Sequence, residues 1–278
     1  DAFLTAAERM GGASVNRRRG VVWYEGRDTR VRDYPVSIEW PNAFARRGLG
    51  TDACRAAVAT RMKFEAPELL IVGVDRLDYT KGICEKALAF ERLLDAYPGF
   101  RRRVSLVQIA EPSRQCIAAY RELRSRLHSI VERVNGRFGD GTYRPMMLSE
   151  MHHERADVHE FLRAADVCYV GSLHDGMNLV AKEFVAARDD LQGVLVLSAF
   201  AGAARQLSDA LLVNPYAVDD SAQTLACALK MPIGEQAARM RAMRANVAEF
   251  NAYWWVGQML KAGARWRRLH PIAQKIPA

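Results

Sequence analysis

Short apolar runs rich in branched residues recur along this chain, at 69–74, 104–110, 166–172, 193–198 and 210–213, and each is followed by a helical stretch. That alternation predicts an α/β fold with a parallel sheet flanked by helices. Between the first two runs, Ala87, Phe90, Leu93, Leu94 and Tyr97 recur at three and four residues, which predicts a helix ended by Pro98-Gly99. Between the next two, Ser113 is expected to cap a long helix whose Ile117, Tyr120, Leu127, Ile130, Val131 and Val134 form one apolar stripe. Asn135-Gly136 is expected to stop it. A further strand is expected near 143–148, followed by a helix over 155–164.

Outside this region the pattern changes. An alternating stretch around Val31 to Ile38 and a polar, alanine-rich segment follow a start at Asp1-Ala2-Phe3-Leu4, which has no methionine and reads as the inside of a longer protein. The expected organisation is a remnant of another domain's edge at 1–42, a connector at 43–66, a sheet domain at 67–250, and a helix and tail at 251–278. The tail carries Tyr253, Trp254, Trp255 and Trp266, aromatics that would be costly to expose.

Composition narrows the classes. Half the residues (50%) are hydrophobic and 26% charged, enough apolar surface for a core and unlike a disordered chain. The apolar runs fall short of the ~20 residues that a membrane-spanning helix needs, so no membrane partner is expected. No basic stretch followed by an apolar core and a small-residue cleavage site opens the sequence, so export is not expected. Cys54, Cys84, Cys116, Cys168 and Cys227 are odd in number and form no C-x-x-C pair, so reduced thiols and a cytoplasmic location are expected. The net charge of +8 favours an anionic partner. Arg17-Arg18-Arg19 and Arg101-Arg102-Arg103 lack interleaved aromatics and read as solvated surface, so nucleic acid is not the expected partner.

Ligands of open parallel sheets lie beyond the carboxyl ends of the strands, which directs attention to three turns. Asp75-Arg76-Leu77-Asp78-Tyr79-Thr80-Lys81-Gly82 places a guanidinium and an ammonium on one strand-to-helix turn, a pair suited to phosphate oxygens unless both merely pair with Asp75 and Asp78. His174-Asp175-Gly176-Met177-Asn178-Leu179-Val180-Ala181-Lys182-Glu183 runs into a helix whose first amides can bind an anion. Asp175 can accept hydrogen bonds from a polyol. The plainer reading there is Asn178 as a cap and Glu183 as a solvated helical residue. Arg114 stands at an expected helix start, opposed to the helix dipole, a weak sign of a ligand anion nearby.

RLDYTKG at 76–82, QIAEPSR at 108–114, NGRFG at 135–139, DGMNLVAKEF at 175–184, VLVLSAFAGAA at 194–204 and VNPY at 213–216 occur in one order and spacing. Together they resemble the carboxyl-terminal half of the trehalose-6-phosphate synthases. The resemblance implies a Rossmann-like half of a GT-B glycosyltransferase that moves glucose from UDP-glucose to glucose 6-phosphate with retention, without cofactor or metal, in trehalose biosynthesis and stress protection. It implies that Arg76 and Lys81 bind the donor diphosphate and, with Asp175, form the catalytic set. It further implies that Asp175 holds donor hydroxyls, that the amides around Gly176, Met177, Asn178, Leu179 and Val180 contact sugar or diphosphate, that Glu183 takes the ribose, and that Arg114 holds the acceptor phosphate.

The resemblance also implies partners: the missing amino-terminal half of the same protein, which would carry most acceptor contacts, and a possible homo-oligomer. The 251–278 stretch would cross back to that half. Without it the fragment is expected to be inactive alone. His174 departs from the arginine common at that position. A sister synthase with another phosphorylated acceptor, such as glucosylglycerol-phosphate synthase, and a noncatalytic sugar-nucleotide-binding module are the alternatives. His152-His153-Glu154 with His159 does not match a metalloprotease spacing and reads as a loop facing the donor crevice. Ser198 lacks a G-x-S-x-G elbow.

Overall fold

The computed structural model describes residues 2–41, 49–65, 67–113 and 116–269. It divides into two compact units, one of Asp1–Pro35 with Trp255–Ala278 and one of Val36–Trp254.

The first unit holds α1 (Ala2–Arg9), β1 (Ser14–Asn16), β2 (Val21–Tyr24), β3 (Arg27–Arg30) and most of α9 (Ala252–Leu269). The strands form an antiparallel meander in the order β1-β2-β3. Glu25 and Gly26, both at positive φ (48° and 74°), make the two-residue turn that matches strand twist in a hairpin. Leu4, Ala7 and Val22 form its small core. The alternating stretch at 31–38 contains no strand. Pro35 has no amide to donate to a ladder, and the carbonyl of Val36 and hydroxyl of Ser37 accept instead from the buried Lys182 ammonium, each at 3.1 Å.

The second unit carries α2 (Thr51–Met62), β4 (Leu69–Arg76), α3 (Ile83–Ala96), β5 (Val104–Glu111), α4 (Ala118–Phe138), β6 (Met146–Ser149), α5 (Arg155–Ala164), β7 (Val167–Val170), α6 (Leu179–Ala187), β8 (Val194–Ser198), β9 (Leu211–Val213), α7 (Val218–Leu229) and α8 (Ile233–Glu249). Its six strands, all parallel, run in the order β6-β5-β4-β7-β8-β9. The sequence order reverses between β4 and β7, so the crevice of this sheet opens where those two strands end. This is the expected α/β architecture, a Rossmann-like parallel sheet flanked by helices.

Period-two alternation sorts the strand side chains onto two cores. Leu70 and Val72 of β4 and Leu195 and Leu197 of β8 pack with residues of α2, α5, α6 and α8. Ile71 of β4 and Val194 and Val196 of β8 pack with residues of α3, α4 and α7. Phe90, Leu93 and Leu94 of α3 are wholly buried, and each contributes about 1.5–3 kcal/mol by leaving water. Cys54 and Val58 of α2 enter the first core, so the segment expected as a connector supplies a packed helix.

Three local expectations are corrected. Ser113 does not cap α4, which starts at Ala118 with Ile117 at its N-cap and no side-chain cap bond. Asn135-Gly136 does not stop α4, which continues to Phe138. The Asn135 amide is spent on β6, donating to the Met146 carbonyl at 2.9 Å and accepting its N–H at 3.0 Å. A Cβ at Gly136 would meet nothing within 4 Å, so that glycine demands no bend. The tail aromatics are not all covered: Trp254, Trp255 and Trp266 are half-buried, but Tyr253 is 65% exposed.

Candidate active site

At the ends of β4 and β7 lies a cavity of about 420 Å³ lined by Val74, Asp75, Arg76, Lys81, Ile109, Glu111, His153, Val158, Asp175, Met177, Asn178, Leu179, Val180 and Glu183. Residues from turns almost a hundred positions apart meet because β4 and β7 are neighbours in the sheet. Gly82 makes the first turn possible. Its φ is +61°, and a Cβ there would sit 2.1 Å from the Gly171 carbonyl oxygen beyond β7.

The plain ion-pair reading of this turn is overturned. Lys81 pairs with neither Asp75 nor Asp78 but reaches Asp175 Oδ2 at 2.6 Å. Asp78 folds onto its own turn, accepting from the Thr80 N–H at 2.9 Å, the Thr80 hydroxyl at 2.8 Å and the Tyr120 hydroxyl at 3.1 Å. Burial alone would raise its carboxyl, and these donors outweigh burial and hold it below the ordinary value. Arg76 is exposed at the cavity and makes no ion pair within 4 Å among the described residues.

Asp175 is a hub. Besides Lys81, its carboxylate accepts from Asn178 Nδ2 at 3.1 Å, the Ser172 hydroxyl at 3.4 Å and the Met177 N–H at 3.5 Å. Burial pushes this carboxyl up, but the hydrogen bond and charge of Lys81, with the Asn178 amide, win and keep it low and ionised. Asn178 also caps α6, its Oδ1 accepting the Ala181 N–H at 3.2 Å, in a left-handed backbone conformation (φ 71°) that asparagine tolerates better than most residues. Leu179 and Val180, the first two residues of α6, line the cavity, and their N–H groups have no intrahelical acceptor. Gly176 is exposed beside the lining. The loop after β8 locks onto this turn: Asp175 N–H donates to Phe200 O at 3.3 Å, Gly202 N–H to Asp175 O at 3.0 Å and Ala203 N–H to Met177 O at 2.8 Å. A Cβ at Gly202 would lie 2.0 Å from Gly176 O.

Glu183 is half-buried in the wall, not a solvated helical residue, and burial pushes its carboxyl up, partly offset by Arg155. His153 faces the cavity and its Nε2 meets the Ser149 hydroxyl at 2.7 Å, while burial lowers its pKa. His152 bonds Glu111 at 2.7 Å, which raises the pKa of the exposed imidazole. His174 is exposed and outside the lining. Arg114, the expected acceptor-phosphate residue, lies outside the described residues. Among the described residues no group of three or more His, Cys, Asp or Glu could hold a metal ion.

The sequence reading passed over Asp75, Glu111, Val74, Ile109 and Val158 as cavity residues. Asp75 and Glu111 occupy the last positions of strands β4 and β5, or the one before, where the strand-end rule already points.

Two cations and helix-start residues whose amides lack an intrahelical acceptor line the cavity and favour bound anionic oxygens, Asp175 and Glu183 offer acceptors for hydroxyls, and Val74, Ile109 and Val158 give apolar walls. These features define a Rossmann-like domain with a cation-bearing polar cavity at its switch point. The chain belongs to glycosyltransferase family 20, whose family model matches residues 1–264. It is 39% identical over 251 residues to a trehalose-6-phosphate synthase of Klebsiella pneumoniae, covering 90% of this chain and 52% of that protein. A Burkholderia xenovorans alpha,alpha-trehalose-phosphate synthase (UDP-forming), solved with glucose 6-phosphate, superposes with TM-score 0.85 at 37% identity, over 94% of this chain and 58% of that one. An E. coli trehalose-6-phosphate structure bound with UDP-2-fluoro glucose gives TM-score 0.85 at 35% identity, over 94% and 57%. The chain thus spans about half the length of these relatives. No helix among the described residues is long and apolar enough to cross a membrane.

Proposed function

We propose that this chain is the donor-binding half of a retaining glucosyltransferase that moves glucose from UDP-glucose to glucose 6-phosphate, giving trehalose 6-phosphate and UDP. The observation that carries the reading is the meeting of Arg76, Lys81, Asp175 and Glu183 around one cavity at the switch point, in a chain whose solved relatives hold glucose 6-phosphate and a UDP-glucose analogue.

In this reading Arg76, Lys81 and the Leu179 and Val180 amides take the diphosphate. As the glycosidic bond breaks, the departing UDP gains negative charge, and fixed cations and amides already aimed at those oxygens stabilise it without reorganisation. Asp175, kept ionised and oriented by Lys81 and Asn178, accepts from donor hydroxyls, and Glu183 accepts from the ribose. The acceptor hydroxyl attacks the face that the diphosphate leaves, and its proton passes to a departing phosphate oxygen. Arg114 holds the acceptor phosphate. The domain reading belongs to the same proposal: 1–42 to the edge of an acceptor-side domain, 67–250 to the nucleotide-sugar domain. That one compact unit, Val36–Trp254, contains every lining residue of the cavity supports a separate nucleotide-sugar domain, with its start earlier than residue 67. A cytoplasmic location is supported by the five free cysteines.

Calorimetric titration with UDP and UDP-glucose, together with a UDP-release assay, tests the proposal. The chain alone should bind the nucleotide without turnover, since donor and acceptor must be held together for reaction. The full-length protein should release UDP only when glucose 6-phosphate is present. Failure to bind UDP would overturn it.

A further inference from the structure

Asp75, the residue before Arg76, lines the same cavity, yet its side chain is only 2% exposed. Its Oδ2 accepts from the Lys86 ammonium of α3 and from Gln108 Nε2 of β5 at 3.2 Å. Lys86 is wholly buried. Two glycines, one inside β4 and one just past β7, make room for it: a Cβ at Gly171 would sit 2.5 Å from Lys86 Cγ, and one at Gly73 would sit 2.3 Å from Gln108 Oε1 and 2.8 Å from Lys86 Nζ. Glycine inside a strand weakens it, and here Gly73, with Gly171 opposite, leaves the space that the Lys86 side chain and the Gln108 amide fill.

Stability does not account for such a pair. Taking two charges out of water costs about as much as their attraction returns, and apolar replacements of similar volume are often as stable. What the pair does change is the charge presented to a ligand. A lone carboxylate in this cavity would repel an anion and would draw Arg76 or Lys81 toward itself. Lys86 cancels it from behind, and Lys81 is left to Asp175 while Arg76 stays unpaired among the described residues.

We propose that Lys86 is a positioning residue of the anion site, acting through Asp75: by holding and neutralising that carboxylate it leaves Arg76 and Lys81 available to a bound diphosphate. This rests on the reading of the cavity as a diphosphate site, and it adds a residue that the ligand never touches.

The test is calorimetry on the full chain with UDP, uridine and inorganic pyrophosphate, comparing wild type, Lys86→Met and the double variant Asp75→Asn/Lys86→Met. Lys86→Met should weaken UDP and pyrophosphate by about tenfold or more while uridine stays within about twofold, because only the charged ligands are repelled by the uncompensated carboxylate. The double variant, with no carboxylate to cancel, should return UDP to within about threefold of wild type. Equal weakening of uridine and UDP, or a double variant as weak as the single one, would overturn the proposal. Circular dichroism shows whether Lys86→Met folds. If it does not, the double variant decides, and a tenfold or greater loss of UDP affinity there would refute the idea. Wild type that binds pyrophosphate but not UDP would defeat the donor reading alone, and the pyrophosphate series would still judge Lys86. Wild type that binds neither would sink both.

Discussion

Lys81→Met removes a charge and keeps most of the stem. In the unliganded chain Lys81 lies 2.6 Å from Asp175 with side chains 17% and 14% exposed, so water and salt screen the pair far less than a surface pair. Its loss does not strand Asp175, which keeps the Asn178 amide at 3.1 Å and the Ser172 hydroxyl at 3.4 Å. The stability cost should therefore stay near that of a charge-assisted hydrogen bond, about 1.5–3 kcal/mol, below the loss seen when a fully buried partner is removed. The same ammonium given to a diphosphate contributes a similar amount, which converts to about 10- to 100-fold in UDP affinity. Titration with UDP and with uridine separates the roles, since uridine carries no phosphate and should bind within about twofold of wild type. Thermal melts follow stability in parallel. Should the melting temperature fall while UDP affinity stays within about twofold, Lys81 would be only a strut for Asp175, and its assignment to the diphosphate would be wrong.

Acid titration gives a second check. Asp175 is held below its ordinary value, so its contribution to stability is complete above the unfolded carboxylate range and is lost as pH falls through the lower folded value; urea melts should show this acid-side loss in wild type and a smaller one in Lys81→Met. Arg76→Ala should lower turnover of the full-length enzyme by about 100-fold with an unchanged melting temperature, because the side chain is exposed and unpaired among the described residues. Asn178→Ala should cost about 1–2 kcal/mol in urea denaturation by removing the α6 cap, and should also weaken UDP-glucose binding through Asp175. Gly82→Ala should abolish nucleotide binding and lower the melting temperature, since the added carbon would strike the Gly171 carbonyl.

Sequence periodicity reads the sheet well because its strands are continuous apolar runs: β4, β5, β7, β8 and β9 all fall within or against the expected runs. Helix limits read less well, since they depend on tertiary partners that no local pattern displays. Asn135 looks like a stop signal but is recruited by Met146 across the turn to β6. The hairpins of the first unit were missed because β1 to β3 have three or four residues each, too few for a period to show. At the site, position relative to strand ends was enough to single out Arg76, Lys81 and Asp175, whereas Glu183, more than a turn inside α6, entered only through the resemblance to the synthases. The partner of Lys81 was not readable, because Asp175 is 94 residues away and comes near only through the β4–β7 pairing.

The loops after β7 and β8 are hydrogen-bonded to one another along their backbones. The Asp175 N–H donates to the Phe200 carbonyl and the Asp175 carbonyl accepts from the Gly202 N–H, and Gly202 fits against Gly176 only because it has no side chain. For anyone redesigning this cavity, the two loops form a single cassette. A chimera that imports 174–178 from a relative must import 199–204 with it, and libraries that break the gene between them will mostly yield mismatched halves of one joint.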